Sequence, residues 1–354
     1  MARKKLKCKT FTLPDGTRKY IYGKTQKEVE EKYLQARLEM NAGVDLNNRD
    51  TFGEFAQMWY TTFKKNSVTP RVADQIKRNI NKHLMPYLSA YRMRDITPMQ
   101  CANIFTIMTK DGKSEDLERK VYQIMRAIFS VAVENGVIYK SPITSSVKPG
   151  GVKAKKRKAL TAEQTAALNK AVKGTDAEPF VAIVLATGLR RGEALGLQWD
   201  DIDMERMELH VRHSLHWESN SGVLTDTLKT DSAFRTVPFT SDVAKYFSQL
   251  WAQRDGSFVF HFRYGKPISY SRFRTMWSAT KSANIDDLTP HILRHTAITN
   301  WIASGLDVKE VQYLAGHASC DITLNIYSSY LESNRYETTR QKIQGIPLTA
   351  SVSS

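Results

Sequence analysis

Apolar and polar positions alternate in the opening stretch and then change period. Lys7 to Leu13 and Thr17 to Tyr22 are β-prone and flank Pro14-Asp15-Gly16, strong turn chemistry, so a hairpin is predicted. Thr25 then caps a helix through Leu38, with Glu28 in the capping-box position. Asn41 to Asp50 is polar and punctuated like a linker. From Phe52 the spacing turns helical, with Phe52, Phe55, Ala56 and Trp59, then residues 72–91, then Leu117, Val121, Ile124, Met125, Ile128, Phe129 and Ala132. Thr51 opens the first of these helices with Glu54 completing its box, and Thr97-Pro98 opens another. Ser141 to Lys158 holds Pro142, Pro149, Gly150 and Gly151 and reads as a second linker.

Helical periodicity resumes at Thr161, and Phe180 to Ala186 is a buried run ending at Thr187-Gly188. Met207 to Arg212 alternates as a strand. Leu224 to Phe239 supplies further strand material, with Asn220-Ser221-Gly222 as the turn between them, which puts Lys229 on a hairpin. Asp242 to Ala252 is an amphipathic helix, Phe258 to Phe260 a short buried piece, and Ser269 to Ala283 another helix. Thr289 and Pro290 start the next, on which His291, Arg294 and His295 share a face beside the apolar stripe of Leu293, Ala297, Ile298, Trp301 and Ile302. Gly305 ends that helix, Asp307 caps one carrying Val308, Val311 and Leu314, and Gly316 ends it, leaving His317 just beyond. Asp321 caps a third helix whose Ile322 and Ile326 face the core while Tyr327 points out. Leu331 to Ile346 is helical and loosens into Pro347 to Ser354.

Charge narrows the partner. Lys plus Arg number 52 against 36 Asp plus Glu, a net charge of +16, in a chain of 354 residues that is 41% hydrophobic. That content supports real cores, and the excess favours a polyanion such as nucleic acid, with an anionic membrane surface as the competitor. No apolar run is long enough to span a bilayer and the basic N-terminus lacks the apolar core of a signal peptide, which places the chain in the cytoplasm, off the membrane. Cys8, Cys101 and Cys320 lack paired spacing, so neither a disulfide framework nor a zinc site is suggested, and Cys320 reads as a small apolar filler. Basic side chains crowd two places, residues 1 to 24, including Arg18 and Lys19, and the linker, with Lys153, Lys155, Lys156, Arg157 and Lys158. A basic linker between two lobes would let them close on a duplex with strongly salt-dependent affinity. The bland alternatives are a solubilising tail and an exposed hinge.

His291-Ile292-Leu293-Arg294-His295, Ala315-Gly316-His317 and Tyr327 resemble the C-terminal signature of the tyrosine recombinases, the phage-integrase family. Upstream, Thr187-Gly188-Leu189-Arg190-Arg191-Gly192-Glu193, followed by Leu195, Leu197, Trp199, Asp200 and Ile202, resembles the family's first arginine motif. Lys229, Thr230, Arg235, Val237 and Pro238 resemble the context of its strand-borne lysine. Four pieces in order over about 140 residues are specific where a lone His-x-x-Arg pair is not. The resemblance implies a multidomain α+β fold. Residues 1–45 would be an arm-type DNA-binding domain, a small N-terminal β-sheet plus helix that places its sheet in the major groove. Residues 51–148 would be a helical, SAM-like core-binding domain, 149–158 a basic linker, and 159–354 a mainly α catalytic domain with a small antiparallel sheet.

The resemblance also implies roles. Arg190 and Arg294 would clamp the non-bridging oxygens of a phosphodiester, which guanidinium groups match with paired, permanently charged donors. Tyr327 would attack phosphorus and form a 3′-phosphotyrosyl intermediate, Lys229 would protonate the leaving 5′ oxygen, and His291 and His317 would hydrogen-bond the phosphate or pass protons. Glu193 and His295 would support the site, with Glu193 pairing with Arg190, and Arg191 would touch the DNA backbone. Tyr330 competes as nucleophile, and Ser329 stands where the family pattern has a histidine. Neither metal nor cofactor is required. The implied partners are duplex DNA at attachment sites, a homo-tetramer on that DNA, a DNA-bending host factor and an excisionase. The C-terminal tail would dock on a neighbouring subunit. The expected activity is that of an integrase from a phage or an integrative and conjugative element. A resolvase or invertase, a type IB topoisomerase-like enzyme and an inactive DNA-binding protein stay open.

Overall fold

The alternation in the first residues becomes an antiparallel ribbon in which β1 (Lys7–Thr12) pairs with β2 (Arg18–Gly23), Cys8 opposite Tyr22 and Thr10 opposite Tyr20. The computed structural model describes residues 6–13, 16–153, 158–225 and 234–328, the side chains of 262 and 263 excepted. Pro14 and Asp15 of the expected turn therefore lie outside the described residues. The pleat sends Cys8, Thr10, Thr12, Arg18, Tyr20 and Tyr22 to one face, and Tyr20 and Tyr22 stack there with centroids 6.5 Å apart. Ile21 faces the other way, toward α1 (Gln26–Asn41). Thr25 caps α1 by accepting from the Glu28 amide at 3.1 Å. The Glu28 carboxylate takes the Lys24 amide, one residue earlier than a regular capping box would have it.

The chain divides into two units, Met1–Lys155 and Lys156–Ser354. Residues 41–50, expected to be a linker, are strapped down within the first. Val44 and Leu46 are buried with Leu13, the Asp45 amide donates to Gly136 O at 2.9 Å, and Arg94 Nη1 donates to Leu46 O at 3.1 Å. Two apolar side chains in a polar string made the difference. Beyond the strap, α2 (Phe52–Trp59) starts in the expected Thr51/Glu54 box and runs on through a π-helical turn at Tyr60–Lys64. Next, α3 (Pro70–Asn79) passes through a second π-helical turn, Ile80–Leu84, into α4 (Met85–Leu88). Then come α5 (Pro98–Lys110), capped by a Thr97/Gln100 box, and α6 (Glu115–Glu134). Phe52, Phe55, Trp59, Leu84, Met125 and Phe129 fill their shared core.

Glu118 on α6 is wholly buried in that core, accepting from Thr109 Oγ1 at 2.8 Å and from the Gly150 amide at 2.7 Å. The residues expected to loosen from Ser141 are thus held through Val152. Val147 is buried, the Val152 amide reaches Lys113 O at 2.8 Å, and Val152 O accepts the Glu115 amide at 3.0 Å.

In the second unit α7 (Ala162–Val172), α8 (Ala177–Thr187) and α9 (Arg191–Gly196) precede the strands. A three-stranded antiparallel sheet follows the order β3 (Ile202–Asp203), β4 (Glu208–Val211), β7 (Arg235–Pro238). A separate hairpin joins β5 (Ser214–Glu218) and β6 (Ser221–Thr225), with Glu218 opposite Ser221. One expectation holds and one shifts: β4 pairs with β7, inside the expected Leu224–Phe239 stretch, but the turn is Ser219-Asn220, with Ser219 at φ +56°, and it joins β5 to β6, a hairpin the sequence did not announce. Next come α10 (Ser241–Ala252), the short pair β8 (His261–Phe262) and β9 (Lys266–Pro267), and α11 (Tyr270–Trp277), which tightens into a 3₁₀ turn over Ser278–Ala283. Last, α12 (Pro290–Ala303) carries His291, Arg294 and His295, and α13 (Val308–Ala315) leads into Gly316 and His317. Among the described residues no helix is long and apolar enough to cross a membrane.

Candidate active site

Four chain segments converge on one buried carboxylate. Helix α8 ends at Gly188, whose φ of +60° suits a residue without a side chain; a Cβ there would stand 2.6 Å from the Trp301 ring. The chain turns through Leu189 and Arg190 into α9, where Glu193 is 2% exposed. Its carboxylate accepts the Arg190 amide at 2.8 Å and Arg190 Nη1 at 2.6 Å. From β7, Arg235 donates Nη2 to Glu193 Oε2 at 2.8 Å and Nη1 to Oε1 at 3.3 Å. Arg294 on α12 places Nη1 3.9 Å from Glu193 Oε2.

The guanidinium groups also gather the backbone after α13. Arg190 Nη2 donates to Gly316 O at 2.6 Å, Arg235 Nε to Leu314 O at 2.7 Å, and Arg294 Nη2 to Ala315 O at 2.5 Å, while Arg294 Nη1 reaches back to Gly188 O at 2.8 Å. Segments more than a hundred residues apart in sequence are thereby locked together. Burial would raise the Glu193 pKa, but Arg235, by charge and hydrogen bond, then Arg190 and Arg294, bring it to about 2. Burial, then the charge on Arg190, push Arg294 down to about 9, so it stays cationic at neutral pH. Three guanidiniums around one carboxylate leave a surplus of positive charge. Of the three, Arg190 is the open one, its side chain 42% exposed against 0% and 2% for Arg235 and Arg294.

His317 is buried just after Gly316, and its Nδ1 lies 2.8 Å from Thr323 Oγ1. Burial, then the charges of Arg294, Arg190, Arg235 and His291, lower its pKa to about 4, so it is neutral at pH 7 with Nε2 left for a ligand. Residues 320–328 are helical, but Ser319 takes the Asp321 amide at 3.2 Å, so the serine, rather than Asp321, caps this helix. Its inward residue is Thr323, 0% exposed, whereas Ile322 is 48% exposed, contrary to expectation. The position opposite His317 requires a hydroxyl, and that requirement outweighs apolar spacing. Tyr327 is half-buried against the cluster of Ile298, Ile302, Val311 and Ala315. On α12, His291 is exposed and His295 half-buried, its pKa lowered by burial. Thr289 adopts an extended N-cap conformation but makes no capping bond with its side chain.

The structure thus brings together Arg190, Glu193, Arg294 and His317 and adds Arg235, named in the sequence only as part of a motif. Lys229 and Tyr330 lie outside the described residues, as do Lys155, Lys156 and Arg157; Lys153 and Lys158 are exposed. Arg191 lays its guanidinium 4.7 Å from the centroid of the Trp217 ring. Arg18 is exposed on the outer face of the ribbon, but Lys19 requires correction: its ammonium is hydrogen-bonded to Leu46 O, and burial, then the charge on Arg94, lower its pKa. That side chain fastens the strap and is not presented to a polyanion.

A largely buried, hydrogen-bonded cradle with surplus positive charge, one open guanidinium and a neutral imidazole is suited to handling an oxyanion. Known proteins agree with that class. The Phage integrase family profile matches residues 158–333, and that of the phage integrase N-terminal SAM-like domain matches 51–108. The chain is 25% identical over 355 residues to a tyrosine recombinase XerC-like protein of Caldanaerobacter subterraneus subsp. tengcongensis, covering 91% of each chain. It is 25% identical over 346 residues to the transposase from transposon Tn916 of Enterococcus faecalis, covering 90% of this chain and 82% of that one. In fold it is similar to the Tn1549 transposon integrase in complex with transposon right end DNA, with a TM-score of 0.69 and 21% identity over 82% of this chain and 99% of that one. It is also similar to a lambda integrase dimer bound to a core site, with a TM-score of 0.62 and 16% identity over 92% and 96% of the two chains. The chain belongs to the phage integrase family, the tyrosine-type site-specific DNA recombinases of mobile elements.

Proposed function

We propose that the chain integrates and excises its mobile element by cutting and rejoining duplex DNA at attachment sites, with Tyr327 as nucleophile. The observation that carries the roles is the cradle itself: open Arg190, buried Arg294 and neutral His317 held in one geometry by Glu193. A phosphodiester under attack gathers negative charge on its non-bridging oxygens, and a preorganised surplus of guanidinium is complementary to it. Arg190 and Arg294 bind those oxygens, His317 donates from Nε2, and His291, exposed at the start of α12, serves the same phosphate. The Tyr327 hydroxyl gives its proton to solvent and its oxygen bonds to phosphorus as the bond to the 5′ oxygen breaks, that oxygen departing with a proton from Lys229. The phosphotyrosyl ester keeps the bond energy until a second 5′ hydroxyl displaces the tyrosine. Duplex DNA is the partner. Two strand pairs exchanged in turn require a tetramer, to which a bending protein and an excisionase add direction. The outer face of the β1–β2 ribbon, with Arg18, binds duplex arms, and the basic linker with Lys153 and Lys158 tracks phosphates.

The test is incubation in EDTA, without ATP, with nicked suicide duplexes spanning the ends of the element that encodes the chain. A covalent protein–DNA adduct is expected with the natural chain and none with Tyr327→Phe. An adduct that survives the change moves the nucleophile to Tyr330 or elsewhere, and no adduct on any duplex sinks the catalytic reading.

A further inference from the structure

Arg235 is the most enclosed cation of the second unit's site, its side chain 0% exposed. Its bonds to Glu193 and to the backbone at the end of α13 join separate parts of the site. Two nitrogens hold Glu193, at 2.8 and 3.3 Å, and the third holds the Leu314 carbonyl at 2.7 Å, at the end of α13. The neighbouring Thr236 amide donates to Tyr313 Oη at 3.2 Å, a second stitch between β7 and α13. Gly316 faces the same guanidinium: its φ is +61°, and a Cβ there would stand 2.8 Å from Arg235 Nη1. The glycine of the Ala-Gly-His motif thus leaves room for an arginine 81 residues earlier. A buried cation of this kind adds little net stability over an apolar residue of equal volume, because desolvation offsets the attraction. Its value lies in geometry.

We propose that Arg235 is a positioning residue for strand cleavage, aligning Glu193 with the Leu314–His317 turn so that Arg190, Arg294 and His317 meet one phosphate. The proposal rests on the recombinase chemistry above, and its test separates the two. Without Arg235, Glu193 is left, among the described residues, with Arg190 and Arg294, and it draws the open guanidinium away from the substrate. A lysine keeps the charge and loses the planar fork.

The experiment compares the natural chain with Arg235→Lys, Arg235→Gln, Glu193→Gln and the double variant Arg235→Gln/Glu193→Gln on the suicide duplex. It measures DNA affinity, adduct formation at saturating protein and the melting temperature of each. Expected are unchanged affinity, cleavage slowed about 100-fold in Arg235→Gln, as for a clamp displaced by about an ångström, and partial recovery in Arg235→Lys. The double variant should be no slower than the worse single one, because both act through the same contact. Cleavage by folded Arg235→Gln within twofold of the natural chain overturns the proposal, as do single-variant losses that multiply in the double variant. If Arg235→Gln does not fold, Arg235→Lys decides: full-rate cleavage with a lowered melting temperature means the arginine is structural only. No adduct from the natural chain overturns the chemistry and this proposal with it.

Discussion

Two glutamates, one in each unit, are almost entirely withdrawn from water, and their surroundings differ in kind. Glu118 is met by neutral donors, the Thr109 hydroxyl and the Gly150 amide. Glu193 is met by three guanidiniums. The first arrangement satisfies a carboxylate and ties a loop to a helix; nothing is left over for a ligand. The second places more cation than anion behind a single exposed arginine. A buried acid therefore signals function through the charge balance around it, not through burial, and the contrast can be broken in order of size.

The largest effect is expected from Glu193→Ala. Three confined cations lose their counter-charge, so stability should fall by about 3–5 kcal/mol in urea melts and suicide-duplex cleavage should disappear. Glu118→Ala orphans one hydroxyl and one amide. It should cost about 1–3 kcal/mol, with cleavage per folded molecule unchanged; an equal loss of cleavage would erase the distinction. Acid should act next, through His317. Its folded pKa of about 4 lies below the ordinary 6.5, so the stability it contributes is full above pH 6.5 and drains as pH falls toward 4. Between pH 7 and 5 that is about 1–2 kcal/mol, read as a lowered melting temperature that His317→Asn flattens. Glu193 works in the same direction at lower pH, its share lost as pH drops from about 4.5 toward 2. The smallest effect separates the neighbours on the ribbon: Arg18→Ala should lower the salt slope of arm binding by about 1, and Lys19→Met should leave it unchanged. Equal slopes for the two would return Lys19 to the DNA surface.

Much of this was legible in the chain. The helix starts at Thr51, Thr97 and Asp307 and the glycine stops at Gly188 and Gly316 are local signals, and they were read correctly because capping depends on near neighbours. The Arg190–Glu193 pair, three residues apart, was visible for the same reason. Arg235 was not, since its partners lie 42 and 79 residues away and nothing in its own context announces burial. The pairing of β4 with β7 lies within the two stretches the sequence offered, but the β5–β6 hairpin inserted between them was not legible, because Ser214–Glu218 carries too short an alternation to announce a strand. Periodicity also misled at Ile322, where the inward turn of the helix was needed for the hydroxyl of Thr323.

That hydroxyl stands one helical turn before Tyr327, on the same helical run. Its bond to His317 works as an interlock. On the reading proposed above, in which Tyr327 supplies the attacking oxygen, a swing of this helix would carry away both that oxygen and the hydroxyl bonded to the imidazole.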